Sequence, residues 1–500
     1  MNCGRLDEAV AAFETAVRLD PKHYAAIAHL ARLKLQQDRL EEAQQLVETL
    51  GRHFPDDAVA PLISGLLAIK RDEPHAAMDY LSTAVRLDSR SPLPRWLLGM
   101  VALGLGRGRD AISHLKAAAR LDSRSPALHR ALGVAYATQG DSAHAIKALK
   151  TSLALDPMGS ATVHALARVL FDTGQRQAAV NILADYLSRR PNDAIAHELL
   201  AKTYASLDEF RAVRRHLLRA IETLSGANSD AEVAERARLM NDVGVACVLG
   251  HELKEAEQWF RRSLNAFPLP LTFQNLYGLC IQRNDFTAAH KAVLHWRDVF
   301  PSDNESKVWL AASYSHLGNV DRAVFELREL LEANPKIPRA YAVLGSLLSD
   351  HLHDFESAIE VLNQGQKEFP NDTGIANNLA YAYLMQGSTT PARLVLEQIS
   401  SEERSNSVFL TATYGLLHLW EGDVSSAIRL YRAAEDLAKQ KHQRRLSETV
   451  QQKMRLELAR HYVRCGQPQN ASIEVKHGLA LTGRRQYRED LLQLRRLLTA

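Results

Sequence analysis

Residues 129–157 read HRALGVAYATQGDSAHAIKALKTSLALDP, and this stretch decides the fold. Leu132, Gly133 and Tyr136 fall on one face of a helix of period 3.6. Gly140-Asp141 breaks that helix. Ala145, Leu149 and Ser152 then share one face of a second helix. Pro157 prevents its continuation, because proline lacks the N–H that the next turn needs and its ring clashes with the turn before it. Small residues on both helices let the two axes come close, and the large ones fill the space that remains. One such pair cannot bury its own apolar face, so units of this kind must stack.

The copies needed for stacking are present. Alanine recurs at Ala9, Ala43, Ala77, Ala111, Ala145 and Ala179 in steps of 34, and the next step lands on Val213. After a break the series resumes at Ala256, Ala289, Ala323, Ala358, Ala392, Ala427 and Ala471. Twelve residues after many of these alanines stands a proline: Pro21, Pro55, Pro157, Pro191, Pro268, Pro301, Pro335 and Pro370. Twelve residues before them stands a small residue, among them Gly65, Gly99, Gly133, Gly244, Ala311 and Gly415. Three signals locked in one phase identify a repeat array rather than the three or so globular domains that 500 residues would otherwise suggest.

The order Leu-Gly-x-x-Tyr, then Ala, then a bulky residue, then Pro on a 34-residue period resembles the tetratricopeptide repeat family. That resemblance implies an all-α fold, an α-α superhelical solenoid of helix pairs. It covers a lone second helix at 6–19, thirteen pairs from about Tyr24 to Leu481, and a last helix near 487–498. It also implies protein or peptide binding in a concave groove. The phase divides the chain into an N-terminal array at 1–224, a phase-breaking loop at 225–236 (SGANSDAEVAER), a C-terminal array at 237–482 and a capping helix at 483–500. The first repeat is truncated in phase, since Met1 falls where its first helix should be ending, and the missing helix is expected upstream.

Bulk properties narrow the function. Hydrophobic residues make up 46% and charged residues 24%, with a formal net charge of only +3, so no polyanion partner is demanded overall. No apolar run approaches the roughly 18 residues of a membrane span. The start of the chain has no basic segment followed by an apolar one, and the four scattered cysteines match no disulfide framework; both fit a cytoplasmic location.

Chemical motifs are few. The cluster from Gly104 to Gly108 follows no strand and lacks phosphate-loop spacing, so it reads as a turn. His351 and His353 have no third ligand nearby in sequence. Cys247 and Cys280 occupy like places in consecutive first helices and read as small buried apolar groups. With no nucleophile–base constellation, the expectation is a chain without catalytic residues, cofactor or metal.

A partner would meet the side of each first helix opposite its core face. In one region this side carries Trp96 and Met100, and in another Asn377, Asn378, Tyr381, Leu384, Phe409, Leu416 and Trp420. Apolar surface mixed with amides and aromatics is the composition of an interface. Tyr381 and Trp420 lie away from the core faces, so their removal is expected to spare the fold. Residues 439–500 carry fourteen Lys and Arg against five Asp and Glu, a net +9 that reads as a solvated cap, since no aromatic interleaves the charge.

The leading functional reading is therefore a non-catalytic adaptor or scaffold that holds a peptide or protein within a larger complex. Two others stay open. One is a targeting module of a larger enzyme, for example a glycosyltransferase, whose catalytic domain lies outside this chain. The other is nucleic-acid binding through the basic C-terminal end.

The alanine series carries its own test. Replacing Ala145 or Ala323 with leucine overpacks the helix–helix contact and is expected to destabilise by about 1–3 kcal/mol. Denaturant unfolding gives the magnitude. Hydrogen exchange should rise only in the repeats next to the substitution, because each repeat touches only its neighbours.

Overall fold

A β-carbon placed on Gly133 would lie 2.5 Å from Cγ of Leu149, closer than two carbons can sit, and that one contact repeats along the chain. Gly65 meets Leu81 at 2.6 Å, Gly99 meets Leu115 at 2.5 Å, and Gly244 meets a Phe260 ring carbon at 2.5 Å. Only a residue without a side chain lets the two helices of a pair close to this distance. The alanines of the 34-residue series take the reciprocal place: from Ala43 onward each is fully buried.

The computed structural model describes residues 3–224, 226, 229–441 and 444–499. Among the described residues there are 29 helices, numbered here along the chain, and no strand. They form two compact units, residues 1–227 and 228–500. The first holds a lone helix α1 (Cys3–Leu19) and six pairs, from α2 (Tyr24–Gln36) with α3 (Leu40–His53) to α12 (Ala194–Ala205) with α13 (Phe210–Thr223). The second holds seven pairs, from α14 (Asp230–Leu249) with α15 (Leu253–Ala266) to α27 (Arg444–Arg464) with α28 (Pro468–Leu479), followed by α29 (Arg485–Thr499). In the phase-breaking segment, Ser229 and Glu232 form a reciprocal capping box that starts α14.

One pair departs from the pattern. Its second helix, α23 (Thr389–Glu397), is only nine residues long, and a six-residue helix α24 (Ser401–Asn406) follows before α25 (Val408–Trp420). Ser400 caps α24 by accepting from the Glu403 amide, while the Glu403 carboxylate accepts from the Ser400 amide. The Ser-Glu-Glu run at 401–403 is a start signal that the repeat phase obscures.

Polar contacts hold the first unit together at both ends. At its start, Lys34 of α2 is buried and reaches Glu14 of α1 at 2.5 Å and Glu42 of α3 at 2.9 Å. At its end, His197 of α12 is buried against His216 of α13, with the two Nδ1 atoms 3.1 Å apart. His197 Nε2 lies 3.0 Å from the Pro191 carbonyl, which only accepts, so Nε2 carries the proton and Nδ1 accepts from His216. His216 Nε2 in turn faces the Arg215 guanidinium at 3.4 Å, where it accepts. With Nε2 accepting from the guanidinium, the His216 ring is neutral. Burial first, then Arg215 and His197, push the His216 pKa down to about 4.

Every first helix passes to its partner through one residue in the left-handed region. These are Asp38, Asp72, Gly106, Gly140, Gly174 and Asp208 in the first unit, at the 34-residue step. In the second they are His251, Asn284, Gly318, His353, Gly387, Gly422 and Gly466. Asp and Asn tolerate this conformation better than other side chains, but His251 at φ 62° does not share that ease. His251→Gly is therefore expected to stabilise by about 0.5–1 kcal/mol, and Gly140→Ala to destabilise by about 1–2 kcal/mol, both read by denaturant unfolding.

The histidine pair yields a pH dependence with a definite sign. The unfolded chain binds a proton at His216 near its ordinary pKa of about 6.5, whereas the folded chain does so only near 4. The stability contributed by neutral His216 is thus fully present above about pH 6.5 and falls as pH drops towards 4, by up to about 3 kcal/mol. Unfolding measured across that range should show this slope in the wild type and lose it in His216→Gln.

Candidate functional site

The residues expected to meet a partner lie on first helices, and the structure separates those that reach the surface from those that do not. In the first unit, Met100 of α6 (Pro92–Gly104) is 43% exposed. Trp96, one turn earlier, is half-buried against Ala118, Ala119 and Leu128. In the second unit, Phe409 of α25 is 56% exposed. Asn377 and Asn378 of α22 (Thr373–Gln386) are half-buried; Asn377 donates to Asn378 at 3.1 Å, and Asn378 donates to the Ala342 carbonyl of α20 (Pro338–Asp350) at 2.9 Å.

Two expectations are corrected. Leu384 and Leu416 are fully buried, part of the cluster formed by Ala380, Leu396, Leu417 and Tyr431. Consecutive first helices touch along their inner sides, and these two leucines fill that seam rather than face a partner. Tyr381 and Trp420 are half-buried and pack against the same cluster, so their truncation would disturb the core instead of sparing it.

What the sequence does not bring together is the set of charges above those two rings. On α27, Lys453, Glu457, Arg460 and Arg464 follow at intervals of four, three and four, which puts them on one face. The Lys453 ammonium lies 3.9 Å from the centre of the Tyr381 ring and 5.8 Å from that of Tyr487. The Arg464 guanidinium lies 3.8 Å from the centre of the Trp420 ring. A cation over an aromatic face is held by the quadrupole of the ring without being neutralised.

The neighbouring basic groups are paired differently. Arg460 is bound to Glu457 and to Asp490, each at 2.8 Å. Arg455 is bound to Glu474 at 2.8 Å, and Arg484 lies 3.7 Å from Asp350 at the end of α20. Among the described residues, Lys453 and Arg464 have no such carboxylate. Burial lowers the Arg464 pKa. Burial opposes but the charges of Glu457 and Asp490 outweigh it at Arg460, which is held above its usual value. Burial, with Asp350 next, pushes the Tyr381 phenol well up, so it remains a neutral ring for Lys453.

A further inner-face aromatic escaped the sequence reading. Trp309 of α18 (Asn304–His316) lies under the Arg339 guanidinium at 5.0 Å and edge-on to Tyr277 at 5.0 Å, while Arg339 also reaches Glu305 at 3.0 Å. Its place two residues before Ala311, in the small-residue register, was the signal available. The glycine cluster at 104–108 is the turn between α6 and α7 (Gly108–Leu121), with Gly106 at φ 72°. Cys247 and Cys280 are buried, and burial raises the Cys280 thiol to about 11. Among the described residues, one trio lies close enough to share an ion, Cys247 with Glu252 and Glu255, and each of the three is already engaged in another interaction.

Models of the tetratricopeptide repeat match this chain at residues 4–66 and 136–203, at 97–159 and at 305–337. No curated protein matches it. Among solved structures it is similar to yeast Tom70, at 14% identity over 88% of this chain and 95% of that one, with a TM-score of 0.38. It is similar to YrrB, described as a TPR protein with an unusual peptide-binding site, at 18% identity over 37% of this chain and 95% of that one, TM-score 0.32. It is also similar to the C-terminal part of a TPR repeat-containing protein from Cytophaga hutchinsonii, at 13% identity over 50% and 99%, TM-score 0.42.

Proposed function

Because the chain belongs to the tetratricopeptide repeat family, we propose that it is a non-catalytic adaptor or scaffold that holds a peptide or protein partner within a larger complex. The binding surface is the inner side of the first helices in residues 228–500, with Asn377, Asn378, Tyr381, Phe409 and Trp420 as contacts. One observation carries this reading: the rings of Tyr381 and Trp420 are topped by the cations of Lys453 and Arg464, and the ring of Phe409 on the same helix as Trp420 is exposed. Aromatic and arginine side chains together are the usual composition of interface hot spots. Trp96 and Met100 form a second, smaller surface in the first unit. No helix among the described residues is long and apolar enough to cross a membrane. Cytoplasmic work fits the free thiol of exposed Cys465.

Exposed residues give the cleaner test, since Tyr381 and Trp420 also support the core. Phe409→Asp should weaken the principal partner, found by pull-down and then titrated by calorimetry, by about tenfold or more, while thermal unfolding barely moves. Met100→Asp should leave that affinity within about twofold. A partner indifferent to Phe409 but lost with Met100 would move the site to the first unit, and indifference to both would refute the inner-face reading.

A further inference from the structure

We propose that Asp350 and Arg484 form a latch that closes the inner side of the C-terminal unit over Tyr381, so that the chain itself gates access to this ring. The proposal rests on the inner-face reading above, in which Tyr381 is a partner contact, and adds how that contact is controlled.

Packing order sets the geometry. Helix α20 packs on α22, α22 on α25, α25 on α27, and α27 on α29. In such a stack a helix is expected to touch its neighbours and little else. Two side-chain contacts break that rule. The Lys453 ammonium of α27 passes α25 and lies 3.9 Å from the centre of the Tyr381 ring on α22. Arg484 stands in the irregular segment 480–484 between α28 and α29. It passes α22, α25 and α27 and lies 3.7 Å from the Asp350 carboxylate at the end of α20.

These groups surround one ring. Tyr487, at the start of α29, is buried, with its ring centre 5.8 Å from the Lys453 ammonium and 5.9 Å from the Arg484 guanidinium. The charge of Asp350 is felt at the Tyr381 phenol, where it adds to the burial that holds the pKa up. Side chains from both ends of the arc therefore enclose Tyr381.

Of the enclosing contacts, the Asp350–Arg484 pair is the one that can let go. The Arg484 side chain is 52% exposed, and an ion pair that water reaches is weak and screened by salt. The cap behind it is held separately. Leu491 of α29 is fully buried with Leu456, Ala459 and Val475, and Asp490 is bound to Arg460 at 2.8 Å. Arg484 thus leaves Asp350 while α29 stays docked, which opens the inner side from the α20 end. A partner that uses Tyr381 needs that opening, so the closed latch is autoinhibitory.

Hydroxyl-radical footprinting of the full chain, read residue by residue by mass spectrometry, tests this without a partner. Tyr381 in D350N/R484Q should be oxidised about threefold faster than in the wild type, or more. Tyr431, fully buried in the same core cluster, should keep its slow rate. D350R/R484D rebuilds the pair with its charges exchanged and should return Tyr381 to near the wild-type rate. Added salt should speed oxidation of Tyr381 in the wild type and leave D350N/R484Q unchanged. Tyr381 oxidised at the wild-type rate in D350N/R484Q, or left unprotected in D350R/R484D, would overturn the latch. So would Tyr431 rising together with Tyr381, which is local unfolding rather than opening. If these variants leave Tyr381 unmoved while Phe409→Asp still weakens the partner, the latch is refuted and the inner-face reading stands. If Tyr381 opens as expected but the partner is indifferent to Phe409→Asp and Met100→Asp, the latch stands and the inner-face reading falls.

Discussion

The approach of a side-chain-free residue on a first helix to a leucine or aromatic sixteen residues later is the contact on which this molecule is built. At Gly65, Gly99, Gly133 and Gly244 any larger residue would push the two helices apart. The fully buried alanines Ala77, Ala111, Ala145 and Ala256 close the same seam from the second helix. Since each contact lies within one pair, and pairs bury their outer apolar faces on neighbours, stability is a sum of near-identical local terms. The inner sides of the first helices lie outside that repeating contact, and their residues differ from one repeat of this chain to the next.

The core was legible because its constraint recurs. Thirteen helix pairs follow from the phase of alanine, proline and small residues, and the structure contains thirteen, with the short α24 added. The turn residues were half legible. Seven of the thirteen left-handed positions are glycine, but Asp38, Asp72, Asp208, His251, Asn284 and His353 hide the same backbone requirement behind a side chain. Only the 34-residue step through 38, 72, 106, 140, 174 and 208 exposes it.

The candidate site was legible in composition and not in depth. A helical wheel places Leu384 and Tyr381 on the same side of α22, yet the leucine is sealed while the tyrosine is half-buried. The difference is set by where the next first helix crosses, a tertiary quantity with no period in the sequence. The basic C-terminal segment fails for a related reason. Only Tyr462 and Tyr487 stand among its charges, too few for a stacking platform, so its sequence reads as a solvated cap. The two nearest rings come from elsewhere: Tyr381 is 72 residues before Lys453, and Trp420 is 44 before Arg464.

That reversal changes what the terminal pair does. A cap that only kept the array soluble would carry its charges outward, where ion pairs contribute little and are screened. Here the helix α27 turns one stripe of its charge inward. It satisfies Arg460 with Glu457 and Asp490, and leaves Lys453 and Arg464 resting on aromatic faces. A cation–π contact of about 0.5–2 kcal/mol holds each of them there. Held over Tyr381 and Trp420, these two cations instead tie the terminal pair to α22 and α25 through contacts that outward-facing charges would not make.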